Sequence, residues 1–405
     1  MRRVIVIGGG ASGMIAALKA AENGNETILI EKNEKLGKKI YITGKGRCNL
    51  TNDVTPTEFL NSVVSNPKFL YGAINAFSPQ STEDFFESKG VKLKTERGNR
   101  VFPQSDKASD VTATLEKAMR AAGVKVVLGT KVTGVVADGG KVTAVNTSAG
   151  RTECDSAIVC TGGISYPLTG STGDGYKFAK ECGHSVVKPV ASLAGIELID
   201  DVSGLQGLSL KNVSLTAFSG EKKAFYDFGE MLFTHYGISG PIVLSCSCLI
   251  NRADMKTVSL VLDLKPALDE KTLDNRLIRE TESFKGKEVK SMLRTLVPSS
   301  LVQFVARRAG VNPDGKCGEI TREERKSICK TLKNVILTPA KIRPVEEAIV
   351  TAGGVNVKEI NPKTMESKLV KGLFFAGEVL DVDCFTGGFN MQTALSTGFV
   401  AGKNA

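Results

Sequence analysis

The hydrophobic pattern is informative from the first residues. Val4-Ile5-Val6-Ile7 is an unbroken apolar run, as expected of a strand buried on both faces in a parallel sheet. Gly8-Gly9-Gly10-Ala11-Ser12-Gly13 follows at once. Met14 to Asn23 then carries alanine and leucine at helical spacing, Gly24 stops the helix, and Thr27-Ile28-Leu29-Ile30 forms a second strand ending in Glu31. Further on, Val111, Leu115, Ala118 and Met119 line one face of a helix predicted over Lys107 to Ala122. Val124 to Leu128, Lys131 to Val136 and Lys141 to Thr147 read as strands joined at Gly129 and Asp138-Gly139-Gly140. Ser156 to Cys160 is another buried strand, ending in Thr161-Gly162-Gly163.

A related pattern returns near the C-terminus. Gly372 to Glu378 is an apolar strand ending in glycine and an acid, and Gly387-Gly388-Phe389-Asn390-Met391-Gln392 opens a helix running to about Ala401. Between them, Ser192 to Leu264 is rich in alternating segments such as Leu208 to Phe218 and Val258 to Leu264, while Asp269 to Leu332 has helical spacing. The pattern predicts a parallel α/β domain in two sequence pieces, interrupted by an insert with a β part and a helical part. The expected boundaries are 1–190, 191–268, 269–336 and 337–405.

The opening unit has a specific chemistry. Gly8 permits the tight turn, Gly10 lets backbone approach a pyrophosphate, and Gly13 lets the helix pack on the strand. The helix N-terminus faces the phosphate charge, and Glu31 accepts ribose hydroxyls. Glu31 followed by Lys32 points to an adenosine without a 2′-phosphate, hence FAD or NAD rather than NADP. No second strand-GxGxxG-helix unit follows, so a dedicated nicotinamide domain is not expected.

Length and composition narrow the class. At 405 residues, 41% hydrophobic and 24% charged, the chain has core material for two or three structural units. Nine cysteines without a Cys-x-x-Cys pair argue for reduced thiols, against a disulfide scaffold, a zinc site or dithiol exchange. The N-terminus enters a strand at once and no run of about 18 apolar residues exists, so neither a signal peptide nor a membrane span is expected and the expected location is cytoplasmic. The net charge is +10, and Lys285 to Lys333 alone holds twelve basic and five acidic residues. Phe304 is the one aromatic residue in that stretch, too little interleaving for base stacking, so it reads as a solvated basic face and nucleic acid is the less favoured partner.

Several ordered segments together resemble a known family. These are GGGASGM at 8–14, EKNEKLGKK at 31–39, TGKGRCNLTN at 43–52, GGISYPLTGSTGDGY at 162–176, LFTHYGISGP at 232–241, TAGGV at 351–355, and FAGEVLDVD with TGGFNMQ at 375–392. They resemble the bacterial flavoproteins called the YhiN or HI-type family, described as NAD(P)/FAD-dependent oxidoreductases, aminoacetone oxidase-like proteins and BaiN-like bile-acid reductases. The resemblance implies a glutathione reductase-type FAD-binding Rossmann domain, split in sequence, with a β-barrel-like and a helical insert. It implies noncovalent FAD, with NADH or NADPH as transient donor and a small-molecule substrate held between domain and insert.

The cofactor set it implies is Gly8, Gly10, Ala11, Ser12, Gly13, Glu31, Lys32, Gly44, Gly46, Arg47, Cys48, Asn49, Val132, Thr161, Gly162, Gly163, Asp174, Gly377, Glu378, Gly387, Gly388, Phe389, Asn390 and Met391. Within it, Arg47 is expected to offer donors to phosphate or flavin oxygen, and the isoalloxazine to lie near both the TGKGRCN loop and the TGGFN helix start. The stretch Asp383-Cys384-Phe385 departs from the family pattern and sets a second thiol near the ring.

A flavin carries the redox step itself, so few acid-base residues are required. Tyr166, His235 and Tyr236 are the candidates for proton transfer, each weighed against a packing or backbone-bonding role. His184 reads as structural or solvent-facing. Cys48 reads as a packing and hydrogen-bonding residue, since no resolving partner is near in sequence. The expected activity is NAD(P)H-dependent reduction of a conjugated C=C bond in a small organic or sterol-like, bile-acid-like substrate. Oxygen-dependent amine oxidation of the aminoacetone type and flavin-dependent tRNA modification are the alternatives.

Overall fold

The structure, a computed structural model, describes every residue from Met1 to Ala405. It divides into two compact units, the first made of Met1–Ser192 with Pro344–Ala405 and the second of Leu193–Arg343. Each has its own buried apolar cluster.

The first unit is organised on five parallel strands. β1 (Arg3–Ile7) lies between Ser156–Val159 and β2 (Glu26–Ile30), with Leu373–Phe375 at one edge and Lys125–Val127 at the other. Val4, Ile5 and Val6 are fully buried, as the unbroken apolar run requires. Strand Leu373–Phe375 enters this sheet from the far end of the sequence and pairs with Ala157–Val159. Three smaller sheets flank it: Val132–Asp138 with Lys141–Thr147 and Gly150–Glu153, Thr51–Asn52 with the hairpin Leu93–Glu96 and Arg100–Pro103, and Val186–Ser192 with Val350–Val355.

α1 (Ala11–Glu22) packs against the C-terminal helix Phe389–Asn404. The contact is backbone to backbone: a Cβ added to Gly398 would lie 2.3 Å from Ser12 O, and one added to Gly402 would lie 2.2 Å from Ala16 O. Two glycines four residues apart share one helix face and open the groove that α1 fills. His184 belongs to this unit and is buried rather than solvent-facing. Its ring nitrogens meet Glu359 at 3.2 Å and Ser367 at 2.8 Å.

Three helices not anticipated from periodicity, Pro56–Leu60, Pro67–Ala76 and Pro79–Ser88, each begin with proline in the first turn. That signal was present in the sequence, since proline lacks only a donor that the first turn leaves unused.

The second unit carries seven antiparallel strands in the order Val335–Leu337, Val258–Asp263, Ser209–Ser219, Lys222–Thr234, Gly237–Ser239, Ile196–Leu198 and Pro339–Ile342. Five helices accompany them: Pro241–Ile250, Glu270–Ser283, Val289–Leu293, Ser299–Ala309 and Arg322–Lys333. Cys246 and Cys248 are buried in the first of these helices. No helix of the structure is long and apolar enough to cross a membrane.

Gly402→Val drives a branched side chain into the α1 backbone and should destabilise the first unit by about 1–3 kcal/mol. Urea unfolding followed by circular dichroism measures it; an unchanged midpoint would show that the two helices separate freely.

Candidate functional site

The cradle lies where β1 gives way to α1. Gly8 takes φ +105, and a Cβ there would meet Cys160 O at 2.5 Å, so the turn is pressed against the end of strand Ser156–Val159. A Cβ on Gly13 would sit 1.8 Å from Gly8 O, whereas one on Gly10 meets nothing within 4 Å. The turn is therefore closed on its sheet side and open at Gly10. No side chain caps α1, and its first turn carries no acid. Its free amide donors and the positive end of its dipole remain available to an anion.

Glu31 is buried and held in place. Its carboxylate accepts from Gly9 N at 2.6 Å, Asn33 N at 2.8 Å and Asn33 Nδ2 at 2.7 Å. A carboxylate has about four acceptor positions, so one remains for a ligand hydroxyl. Thr161 Oγ1 and Tyr176 Oη are buried without a hydrogen-bond partner in the chain. Thr161 adjoins the turn, its Cα 3.3 Å from the Cβ position of Gly8. An open helix start, a fixed acid with spare capacity and the unpartnered Thr161 hydroxyl form a donor and acceptor set that fits a dinucleotide.

The loops around the cradle are joined by side chains distant in sequence. Residues 44–48 run through left-handed backbone at Gly44, Lys45, Gly46 and Cys48. For Lys45 and Cys48 that conformation costs on the order of 1–3 kcal/mol each, so the surroundings must hold it. They do so from the far end of the chain. With its amide oriented to match its neighbours, Asn49 accepts from Gly388 N at 3.0 Å and donates to Thr51 O at 3.2 Å. Thr51 Oγ1 donates to Gln392 Oε1 at 2.6 Å, and Asn52 Nδ2 donates to Gly387 O at 2.9 Å. Asn390 bonds both backbone groups of Cys384, at 3.0 and 2.8 Å. The TGKGRCNLTN and TGGFNMQ segments are thus one assembly. Phe389 packs edge-on against Phe59 at 5.3 Å, and Met391 is half-buried beside it in sequence.

A second set joins four loops at the sheet edge. Lys39 Nζ donates to Glu378 Oε2 at 2.9 Å and Ser165 Oγ at 2.8 Å. Glu378 Oε1 accepts from Ser165 Oγ at 2.9 Å and Thr351 N at 3.0 Å, and Thr351 Oγ1 accepts from the amides of Ile164 and Ser165. A Cβ on Gly163 would strike Thr351 Oγ1, and one on Gly377 would strike Ser12 Oγ. Lys39, Ser165 and Thr351 were not singled out from sequence, although each sits in a segment that carried the family resemblance.

Other sequence-derived residues have partners of their own. Lys32 pairs with Asp174 at 2.7 Å and also reaches Thr172. Val132 is buried in its strand, and Gly162 is pressed against Ser171. Arg47 has partners other than those its position suggested. Its guanidinium pairs with Glu96 at 2.7 Å and Asp106 at 3.3 Å and stacks 4.1 Å over Phe102, which ties it to the Leu93–Pro103 hairpin instead of holding it toward a phosphate. Cys384 is buried with its thiol 3.4 Å from Thr393 Oγ1. Cys48 is fully buried, and desolvation pushes its thiol up to about 12, outweighing the hydrogen bond with Thr43 that lowers it.

The proton-transfer candidates fall in different units. Tyr166, with φ +49, is half-buried in the first. His235 and Tyr236 belong to the second, their rings edge to face at 5.0 Å. His235 is exposed, while Tyr236 packs on Gly195 beneath the Arg343 guanidinium, 4.7 Å from its ring.

The HI0933-like protein Rossmann domain matches residues 2–404 of this chain. The chain belongs to the HI0933-like family. Members of this family are FAD-dependent oxidoreductases, and so is this protein, with a Rossmann-type FAD-binding domain. Among its relatives, the ribosomal RNA dihydrouridine synthase of Haemophilus influenzae is 32% identical over 402 residues, covering 98% of this chain and 96% of that one. The 3-dehydro-bile acid delta(4,6)-reductase of Clostridium scindens is 29% identical over 409 residues, covering 100% and 99%. Among solved structures, the 3-ketosteroid-delta4-(5alpha)-dehydrogenase of Rhodococcus jostii RHA1 aligns with a TM-score of 0.55 at 13% identity, covering 100% and 96%; this likeness is one of fold.

Glu31→Gln removes a charged acceptor and should weaken FAD binding by about 1.5–3 kcal/mol, roughly 10- to 100-fold in Kd. Titration of apoprotein with FAD, read by flavin fluorescence, measures it, and an unchanged Kd would remove Glu31 from the site. For Cys48, no thiolate-to-flavin absorbance band should develop between pH 6 and 9, and Cys182, the one cysteine that is not buried, should be the first to react with Ellman's reagent. The buried thiols of Cys48, Cys160 and Cys246 lie near 12 when folded and near 8.5 when unfolded. The stability they contribute is complete below about pH 8.5 and is lost as pH rises toward 12.

Proposed function

We propose that this protein reduces a C=C bond conjugated to a carbonyl, using FAD and electrons from NADH or NADPH. The reading is carried by the chemistry common to the two relatives. A delta(4,6)-reductase of a 3-dehydro-bile acid and a dihydrouridine synthase both saturate a C=C bond in conjugation with a carbonyl, on substrates that share little else. The chain's own thiols support it: all nine cysteines are free, and Cys48 is a buried, protonated thiol, so the loop beside the cradle offers no dithiol to receive electrons.

When bound, FAD would supply the hydride chemistry for reducing the carbon β to the carbonyl, with a nicotinamide as the electron source. The chain's residues hold the cofactor and manage the proton. Glu31, the first turn of α1 and the Lys39–Glu378–Ser165 set orient the cofactor. Tyr166, Tyr236, His235 or water gives a proton to the α carbon. The balance is NAD(P)H plus a proton plus the enone, giving NAD(P)⁺ and the saturated ketone.

Anaerobic stopped-flow of the purified holoprotein tests this. Either nicotinamide should bleach the flavin, and a steroidal dienone or a uracil-containing RNA should restore its colour with loss of the double bond. Flavin that reoxidises rapidly with O2 but with neither acceptor would contradict the proposal. Bleaching by aminoacetone and not by a nicotinamide would establish amine oxidation instead.

A further inference from the structure

The basic stretch noted in the sequence is resolved by the structure into two kinds of cation. In helix Arg322–Lys333, Arg325 pairs with Asp274 at 2.8 Å and Lys333 with Asp263 at 2.7 Å. Arg322, Lys326 and Lys330 are exposed, and none lies within ion-pair distance of a carboxylate. They recur every fourth residue, a stripe spanning about 12 Å along one side of the helix. Cys329 Sγ, 3.5 Å from Glu270 O, brings alongside it the start of helix Glu270–Ser283 with exposed Lys271.

The stripe costs stability. Two like-charge pairs at four-residue spacing each destabilise a helix by roughly 0.2–0.5 kcal/mol. Arg322 also stands at the first helical position, where the dipole disfavours a cation. The nearest acids do not neutralise it, since Glu324 is occupied in the reciprocal cap with Thr321 and Glu323 makes no ion pair. The helix's apolar residues Ile328, Cys329 and Leu332 are buried in the core of their unit. A helix that inserts into a lipid surface must present such a face outward, so this helix has only its cations to offer and the stripe suits a polyanion held by charge.

We infer that Arg322, Lys326 and Lys330 form a docking stripe for the phosphate backbone of RNA. This deepens the reductase reading by making the conjugated C=C bond that of a uracil carried on RNA, and it rests on that reading for the reaction alone. Base contacts are not required of a surface that positions a strand through its phosphates.

The test compares the holoprotein with its Arg322→Gln/Lys326→Gln/Lys330→Gln triple variant, using deproteinised bacterial ribosomal RNA as probe and anionic phosphatidylglycerol vesicles as the competing polyanion. Wild type should bind the RNA with a steep salt dependence. The variant should lose about tenfold or more in affinity at low salt, and its slope of log K against log salt should fall by about 2–3, near 0.7–0.9 per phosphate contact. Reduction of the flavin by nicotinamide should be unchanged. Equal RNA affinity and slope in the two proteins would overturn the stripe, as would tight vesicle binding without RNA binding. A variant that loses RNA binding while neither protein saturates a C=C bond would leave the stripe standing and remove the reductase reading.

Discussion

The site depends on a backbone contact between residues more than 330 positions apart. Gly388, at φ +101, lies so close to the loop that a Cβ on it would sit 2.3 Å from Thr51 O. Every L side chain is excluded there on two counts, conformation and space. Around that contact, Asn49, Thr51 and Asn52 spend their polar groups on Gly388, Gln392 and Gly387. The polar, glycine-rich loop therefore contributes close approach and backbone bonding more than reactive side chains. From Gly388 the C-terminal helix runs along α1, held by Gly398 and Gly402, and α1 begins at the cradle. One contact thus connects the loop, the last helix and the cofactor site.

Charge is arranged differently in the two units. Around the cradle, Lys32 is paired with Asp174, Lys39 with Glu378, and Arg47 with Glu96 and Asp106. That leaves the helix start and backbone amides as the donors open to an anion, fixed in direction and needing no reorganisation. On helix Arg322–Lys333 the outward cations are left without partners.

The elements of the parallel sheet were legible in the sequence because their signals are local. The apolar run before Gly8 and the periodic Val111, Leu115 and Met119 appear as strand Arg3–Ile7 and helix Ala108–Ala121. Contacts between distant segments have no such periodicity. That Arg47 would turn to Glu96, that Lys39 would meet Glu378, and that His184 would be enclosed by Glu359 and Ser367 follow from how loops meet in three dimensions. The glycines gave a partial hint, since Gly387-Gly388 marks a backbone under constraint without naming what it approaches.

The dependence of the cofactor site on this contact can be measured directly. Gly388→Val should give a protein with native far-ultraviolet circular dichroism but little FAD after gel filtration, its affinity lowered by about tenfold or more as the loop and helix start are forced apart. Retention of FAD at wild-type affinity by a folded Gly388→Val protein would contradict the account, because the cradle would then be independent of the contact between residues 49–52 and 387–392.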